Sequence, residues 1–356
     1  MRIAAWRAIE PAGCARGDPL NVGAVSAVGA VQLSESFGQP VYSPPPNTEH
    51  PPMRTSHSPQ RLLPLTLIAA LLAASTLDAQ RPLKVYISVD MEGIAGVVTA
   101  DQLGPAGFEY GRAREFMTGE ALAAIAGARD AGATQIVVSD SHGNGESLLI
   151  EKFPPDVTII RSWPRPLMMM QGIDSTFDAA VFIGYHASTT NPAGVRAHTI
   201  SSANYAAVEL NGVAMPEAGI NAAIAGYFNV PIVAISGDNI AVSEAQALIG
   251  NMEGAVVKQA ISFHAAATMT PDAAQTLIRQ KVKAGVMRRS ASRPFIVRAP
   301  VRLDLTFKSY TPAEMLSYLS IVQRTSSHAI RFSGRDILEV SRFLEFVGTY
   351  QPGMTP

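Results

Sequence analysis

Short apolar runs alternate with segments of helical spacing from Leu83 onward, and this alternation limits the fold more than any other sequence feature. The main apolar runs read LKVYISVD, TQIVVSD, FDAAVFIGYHA and VPIVAISGD. Strands that are apolar on both faces are typical of a mostly parallel sheet covered by helices on either side. We therefore predict an α/β fold, with a mostly parallel sheet flanked by helices, for the domain at residues 80–257.

The pattern changes in the last third of the chain, where we predict a smaller C-terminal α+β subdomain at residues 258–350. Residues 271–287 have the spacing of an amphipathic helix, and residues 294–307 alternate like a strand with one buried face. Within the preceding domain, the pair Asn211-Gly212 predicts a tight β-hairpin.

The first 79 residues differ from the rest, and we expect none of them in the folded domain. Residues 1–52 are predicted to be disordered or a mis-assigned extension upstream of a start at Met53. Residues 53–79 have a basic beginning, the apolar run LLPLTLIAALLAA and a small polar end, which is the order of a signal peptide. The alternative is a buried helix or an uncleaved anchor, but the run is shorter than the ~20 residues that span a bilayer.

From this segment we expect cleavage after Ala79, export to the periplasm or the cell exterior, and no stable membrane span after processing. If the segment is not used, the protein is expected in the cytoplasm.

Charge and cysteine content narrow the possible partners and metal ligands. The formal net charge is −1 and no basic run is present, so nucleic acid is not an expected partner. Hydrophobic residues make up 47% of the chain, which is sufficient for a full core. Because Cys14 is the only cysteine, a metal site must be built from His, Asp and Glu side chains.

Carboxylates and imidazoles follow the predicted strands, at the ends where parallel sheets bind ligands. Asp90 and Glu92 are two residues apart and face the same side, where they repel unless a cation or a proton lies between them. His142 in SDSHG, His186 in GYHA and Glu217 in MPEAG follow later strands. Five such donors exceed what one tetrahedral zinc takes, and they suit two zinc or manganese ions that share a bridging carboxylate.

Two further carboxylates end strands and have more ordinary interpretations. Asp140 is close to His142 in sequence, and we interpret it as the hydrogen-bond partner of that ring rather than as a ligand. Asp238 is interpreted as a helix cap or an orienting residue. Glu217 also has such an alternative, because an acidic side chain at a helix start complements the helix dipole.

The motifs SVDMEGIAGV, SDSHG, GYHA, AHTIS, LNGVAMPEAGINAAIAGYFNVPIVAISGD and RTSSHAIRF occur in an order that resembles the DppA-type D-aminopeptidase family of zinc metallopeptidases. The resemblance runs from about Leu83 to Val347. It implies two zinc ions per subunit and a catalytic histidine at His198 of AHTIS, which the strand-end pattern did not single out. The implied metal ligands are the residues that this pattern selected: Asp90, Glu92, His142, His186 and Glu217.

The resemblance also implies the substrate and the assembly. It implies hydrolysis of short peptides with an N-terminal D-amino acid, D-alanine above all, and a homo-oligomer that is typically a decamer. The predicted signal peptide departs from the better-known members of the family. For this chain it favours an exported enzyme acting on cell-wall or dietary peptides over a cytoplasmic one.

Other function classes remain open from the residues alone. Another metal-dependent amidohydrolase or a phosphoesterase would use the same ligands, although phosphoester sites usually add Lys or Arg, and only Arg196 lies beside these motifs. A non-catalytic exported binding protein would share the signal peptide and the α/β pattern, but it would not need His198 beside five ligand positions. A nicotinamide-dependent enzyme would need a glycine fingerprint after the first strand, which the sequence lacks.

Overall fold

The computed structural model describes residues 81–350, and its elements match the predicted α/β class. The predicted extension at 1–52 and the predicted signal peptide at 53–79 lie outside the described residues. The strands are β1 Leu83–Val89, β2 Ala133–Asp140, β3 Val157–Ile160, β4 Ala179–Tyr185, β5 Tyr205–Leu210, β6 Val213–Ala214, β7 Ile232–Asp238, β8 Glu253–Ser262, β9 Ala265–Thr268, β10 Val301–Phe307, β11 Val322–Arg324 and β12 Ala329–Gly334. The helices are α1 Tyr110–Asp130, α2 Glu217–Tyr227, α3 Asn239–Ile249, α4 Pro271–Met287, α5 Tyr310–Leu316 and α6 Ile337–Thr349.

Within residues 81–350, the larger sheet has seven strands in the order β3-β2-β1-β4-β7-β8-β9. All neighbouring pairs are parallel except β8 with β9, which is antiparallel. Every residue of β4 and β7 is buried, as expected for strands covered on both faces. The predicted mostly parallel sheet is therefore confirmed.

The two faces of this sheet contribute to different parts of the core. From β1, Val85 and Ile87 pack with apolar residues of α1 and α4 on one face. On the other face, Tyr86 of β1 and Phe182 of β4 belong to a cluster that includes α2, α6 and the second sheet. This arrangement follows from the alternation of side chains along a strand.

The second sheet is antiparallel, with five strands among the described residues in the order β11-β12-β10-β5-β6. Burial alternates along β10, so one face packs into the core, as the sequence pattern predicted. β5 and β6 form the predicted hairpin. Its turn residues, Asn211 and Gly212, have φ values of 51° and 83°, which suit the tight turn that joins two twisted strands.

The sheets do not divide the chain where the pattern suggested a subdomain. The expected boundary between residues 257 and 258 lies inside β8, so β8, β9 and α4 extend the parallel sheet. The antiparallel sheet instead includes β5 and β6 from the preceding segment. Pairing of β5 with β10 buries Val208 and Leu305 in one core, and this long-range packing leaves no local signal in the sequence.

No helix in the described part of the chain is sufficiently long and apolar to cross a membrane.

Candidate metal centre

Polar side chains from four neighbouring elements converge at the carboxyl edge of the parallel sheet. Each of these side chains follows a strand or opens a helix, and all but the half-buried His198 are at least nine-tenths buried. Asp90 and Glu92 follow β1, His142 follows β2, and His186 follows β4. His198 lies between β4 and β5, and Glu217 opens α2.

Two glycines allow the loops after β1 and β4 to touch through their backbones. The Gly93 N–H donates to the Gly184 carbonyl at 2.7 Å. A Cβ atom on Gly93 would lie only 2.1 Å from the Tyr185 carbonyl oxygen. Gly184 has a φ of 72°, which glycine adopts without strain, and a Cβ there would lie 2.2 Å from the Asp90 carbonyl oxygen. This close approach brings Glu92 and His186 into one site.

Asp90 lies at the centre of the cluster and faces two histidines with different oxygens. Its Oδ1 atom is 3.3 Å from Nδ1 of His142, and its Oδ2 atom is 3.3 Å from Nε2 of His186. The Oδ1 atom also accepts the backbone N–H of Met91 at 2.8 Å. One carboxylate therefore joins the two halves of the site.

The first half contains His142 and Glu92. The His142 Nε2 atom donates to the Leu103 carbonyl at 2.8 Å, because a carbonyl only accepts, so Nδ1 of the neutral ring carries a lone pair. This Nδ1 atom is 2.9 Å from Oε2 of Glu92, and Oε2 has no hydrogen-bond partner among the described residues. A lone pair this close to a carboxylate oxygen requires a proton or a metal ion between them.

The second half contains His186, His198 and Glu217. The His186 Nδ1 atom donates to the Ala187 carbonyl at 3.0 Å, which leaves Nε2 facing Oε1 of Glu217 at 3.4 Å. His198 donates from Nδ1 to the Arg196 carbonyl at 2.9 Å, and its Nε2 is 3.7 Å from the same Glu217 oxygen. The two rings stack with centroids 4.0 Å apart and an interplanar angle of 7°.

The charges of the cluster shift its pKa values strongly. Burial, followed by the charge of Glu92, raises the pKa of Asp90. Burial alone would raise the pKa of Glu92 as well. The adjacent His142 ring outweighs this effect and holds the pKa of Glu92 well below its usual range. Burial disfavours the charged forms of His142 and His186, yet the carboxylates beside them raise both pKa values well above normal. The site therefore concentrates negative charge that attracts cations.

The donor set fits a pair of metal ions. Three of the buried atoms that lack a hydrogen-bond partner in the part of the chain that the structure describes belong to this cluster: Asp90 Oδ2, Glu92 Oε2 and His186 Nε2. Two groups of three donors form, each with its atoms within 4.8 Å of one another. These groups are Asp90, Glu92 and His142, and His186, His198 and Glu217. Carboxylate oxygens and imidazole nitrogens are the ligands that zinc takes when cysteine is absent.

Two other predicted residues have structural roles. Asp238 caps α3, because Oδ1 accepts the N–H groups of Ile240 and Ala241 at 2.8 and 2.9 Å, which confirms its interpretation as a cap. Asp140 instead accepts the Leu148 N–H at 2.7 Å. Within residues 81–350 it forms no hydrogen bond to His142, so that part of the sequence interpretation is wrong. The Leu103 carbonyl orients the His142 ring.

A buried lysine and a buried glutamate, both missed by the sequence analysis, hold the loop after β1. The Lys258 ammonium group donates to the carbonyls of Glu92, Ile94 and Val97, and burial lowers its pKa to about 8. The Glu120 Oε1 atom accepts the Ala95 N–H at 2.8 Å, and burial raises the pKa of Glu120 to about 7. The lysine lies on β8 and the glutamate on α1, far from the ligand motifs in sequence.

A cavity of about 470 Å³ leads to the cluster. Met168 and Met169 line it, so two of the three consecutive methionines form part of a binding surface as well as of the core. The cavity wall contains no Lys or Arg among the described residues. The sequence analysis, which considered residues at the ends of strands, did not predict several residues that line the cavity. These are Trp163, Ile200–Ala203, Leu344, Glu345, Gly348 and Thr349.

Comparison with known proteins identifies the family of this chain. Residues 83–346 match the D-aminopeptidase family, peptidase family M55. The D-aminopeptidase of Bacillus subtilis is 34% identical over 258 residues, which cover 72% of this chain and 93% of that protein. Among solved structures, the Zn-dependent D-aminopeptidase DppA from Bacillus subtilis, described as a self-compartmentalizing protease, is similar with a TM-score of 0.72 and 32% identity. The similarity covers 74% of this chain and 96% of that structure. The resemblance seen in the motifs is thus confirmed: the chain belongs to the D-aminopeptidase family and is a metallopeptidase.

Proposed function

We propose that this protein is a zinc-dependent aminopeptidase that hydrolyses short peptides with an N-terminal D-amino acid, of the D-alanine type, through two zinc ions. The observation that carries the proposal is the pair of three-donor groups at the inner end of one cavity. The Bacillus subtilis relatives, which are named as D-aminopeptidases, one of them Zn-dependent, support the metal and the substrate class.

The same five side chains that the sequence predicted would hold the metal. Asp90 would contribute to holding metal in both halves of the site, because its two oxygens face different histidines. Glu92 and His142 would complete one ion site, and His186 and Glu217 the other. Zinc, when bound, polarises a peptide carbonyl and lowers the pKa of a bound water toward neutrality.

His198 is assigned the proton chemistry. Its Nδ1 bond to the Arg196 carbonyl fixes the ring, and its Nε2 atom lies 4.0 Å from Oε1 of Glu92 and 3.7 Å from Oε1 of Glu217. Either carboxylate, where it is not fully engaged by the metal, can accept a proton from the attacking water. Because both distances exceed hydrogen-bond length, passing that proton to His198 requires one bridging water or a closer approach of the ring. The protonated ring then hydrogen-bonds the carbonyl oxygen or protonates the leaving amine as the C–N bond breaks.

The cavity wall favours a peptide over a phosphoester. Phosphoryl groups carry charge on several oxygens, and their enzymes use Arg or Lys together with metal ions to stabilise that charge. The described cavity wall offers neither. An uncharged peptide bond needs only polarisation at its carbonyl and a proton for its amine, which the cluster and His198 would supply.

The decisive experiment is a matched substrate pair. Residues 80–356 would be purified with zinc and assayed on D-alanine para-nitroanilide and its L-alanine counterpart, with and without a chelator. We expect chelator-sensitive cleavage of the D form. Cleavage of the L form alone would retain the metallopeptidase and overturn the D-specificity. Failure to cleave either, with zinc still bound, would redirect the assignment to another metal-dependent hydrolase such as an amidohydrolase or a phosphoesterase.

Assembly and location complete the proposal. We propose a homo-oligomer, a decamer by family resemblance, and light scattering after gel filtration would measure it. One relative is described as a self-compartmentalizing protease. In this chain, segment 310–321 exposes several large apolar side chains, as subunit contacts often do: Tyr310, Met315, Tyr318, Leu319 and Ile321.

The segment at residues 53–79 supports export, and amino-terminal sequencing of the mature protein would test cleavage after Ala79.

A further inference from the structure

One carboxylate in the cavity wall does not belong to the metal cluster. Glu345 lies on α6, which covers the cavity from the side of the antiparallel sheet, and only 9% of its surface is exposed. Its Oε1 atom accepts the backbone N–H of Arg165 at 2.9 Å and the hydroxyl of Thr349 at 3.1 Å. These bonds hold the carboxylate in place at the edge of the cavity.

Glu345 has no cationic partner in the part of the chain that the structure describes. No Lys, Arg or His nitrogen in that part lies within 4.0 Å of its carboxylate. The guanidinium group of the adjacent Arg165 is turned away, toward the Ser139 hydroxyl and the Asp140 carbonyl, and it stacks on Trp163 at 4.0 Å. Because buried charges are normally paired, this cavity suits a ligand that brings a positive charge next to Glu345.

The carboxylates of the metal cluster are already engaged by other groups. They face the histidines, and Glu217 also accepts the Ile200 N–H at 2.7 Å. Glu345 is separate from the cluster but lines the same cavity as Asp90 and Glu217. The α-amino group of a peptide is two bonds from its first carbonyl carbon, and one residue spans only ~3.5 Å. A peptide whose first carbonyl lies at the cluster therefore has its ammonium group inside the same cavity.

We propose that Glu345 is a specificity-determining residue that binds the α-ammonium group of the substrate. This inference rests on the proposed aminopeptidase function and deepens it. It assigns the requirement for a free amino terminus to a residue on α6, outside the metal ligands. Peptides blocked at the amino terminus would leave the buried carboxylate without a partner, so the site would reject them.

The test uses Glu345→Gln in the zinc-loaded protein. Glutamine keeps the size of the side chain and an oxygen that can accept the Arg165 N–H, so mainly the charge is lost. Calorimetry, with His198→Ala added to both proteins so that the amide is not hydrolysed, would measure binding of D-alaninamide and of propionamide, which has the same skeleton without the amine. We expect the unchanged protein to prefer the amine, and the variant to bind D-alaninamide about 10- to 100-fold more weakly, with little change for propionamide.

Kinetics on D-alanine para-nitroanilide provide the second readout. The KM of Glu345→Gln should rise about 10- to 100-fold, with kcat within about threefold, because the lost bond is made to substrate and transition state alike. Glu339→Gln is the matched control: the same charge is removed from α6, but at a position outside the cavity wall, so both constants should stay within about twofold. If Glu345→Gln does not fold, Glu345→Asp keeps the charge and should retain the preference for D-alaninamide over propionamide.

The outcomes separate the two proposals. Equal affinity of Glu345→Gln and the unchanged protein for D-alaninamide would overturn the role of Glu345, whether or not the protein is a peptidase. A fall in kcat with constant KM would also overturn it, because it would indicate a general disturbance of the site. Absence of zinc-dependent hydrolysis by the unchanged protein would overturn the proposed function, while the binding comparison would still decide whether Glu345 recognises the ammonium group.

Discussion

Gly93→Ala should damage the site without altering any donor side chain. The new Cβ would lie 2.1 Å from the Tyr185 carbonyl oxygen and 2.4 Å from the Gly184 carbonyl carbon, whereas real contacts of this kind are not shorter than 3.0 Å. Both neighbours are backbone atoms of a fully buried strand and cannot rotate away. The loop that carries Glu92 must therefore move by about 0.9 Å from the strand that precedes His186, which corresponds to the difference between 2.1 and 3.0 Å.

This displacement has two measurable consequences. Overpacking of a rigid core typically costs about 1–3 kcal/mol, which corresponds to a fall in Tm of roughly 2–10 °C for a domain of this size. A shift of ~1 Å between catalytic groups can lower activity by about 100-fold. We expect Gly93→Ala to lose zinc affinity and at least about 100-fold in kcat/KM. The assays are calorimetric melting, metal analysis after dialysis, and hydrolysis of D-alanine para-nitroanilide.

Gly104→Ala is the matched control for this prediction. Gly104 is also in the region between β1 and α1, but no heavy atom lies within 4 Å of its would-be Cβ, and its φ is outside the left-handed range. The same change there should leave stability within about 1 kcal/mol and activity unaltered. The reasoning about loop contact would be refuted if Gly93→Ala kept its full zinc content and melted and turned over like Gly104→Ala.

Three further predictions follow from the site. His142→Ala and His186→Ala should each lower the zinc content measured by atomic absorption, and wild-type content in either variant would contradict the ligand assignment. His198→Ala should retain zinc but lower kcat by roughly 100- to 10,000-fold, since general acid–base groups contribute that much; unchanged turnover would exclude a catalytic role. Asp238→Ala should reduce the free energy of unfolding by about 0.5–2 kcal/mol in urea titrations through loss of the α3 cap, and an unaltered midpoint would show that the cap contributes nothing.

The parallel sheet was predictable because its signal is local and repeated. The central strands β1, β4 and β7 are apolar on both faces over seven residues each, and helical spacing follows β1 and β7, so the fold class could be predicted directly. The pairing of β5 with β10 was not predictable in this way. Five residues of β5 pair with β10, roughly 95–100 positions later, and nothing within either segment identifies the other. The position of the antiparallel sheet follows from tertiary packing.

The candidate ligands were predictable for a related reason. Parallel strands end at one edge of their sheet, so donors that follow β1, β2 and β4 must come close together whatever the loops do. The interpretation of Asp140 was wrong because sequence proximity to His142 does not determine direction. The carboxylate turns back to the Leu148 N–H, and the carbonyl of Leu103, from another loop, orients the ring.

The residues that sequence reasoning missed hold or surround the ligands from elements that do not carry the motifs. Lys258 on β8 binds three carbonyls of the loop after β1, and Glu345 on α6 faces the cavity from the far side. Neither residue lies in a sequence motif that indicates a functional site, because each reaches its partners only after the two sheets have packed together. Metal binding is therefore expected to depend on one sheet edge, whereas recognition of the substrate amine is expected to depend on the docking of α6. Loosening of α6 should accordingly weaken substrate binding before it releases zinc.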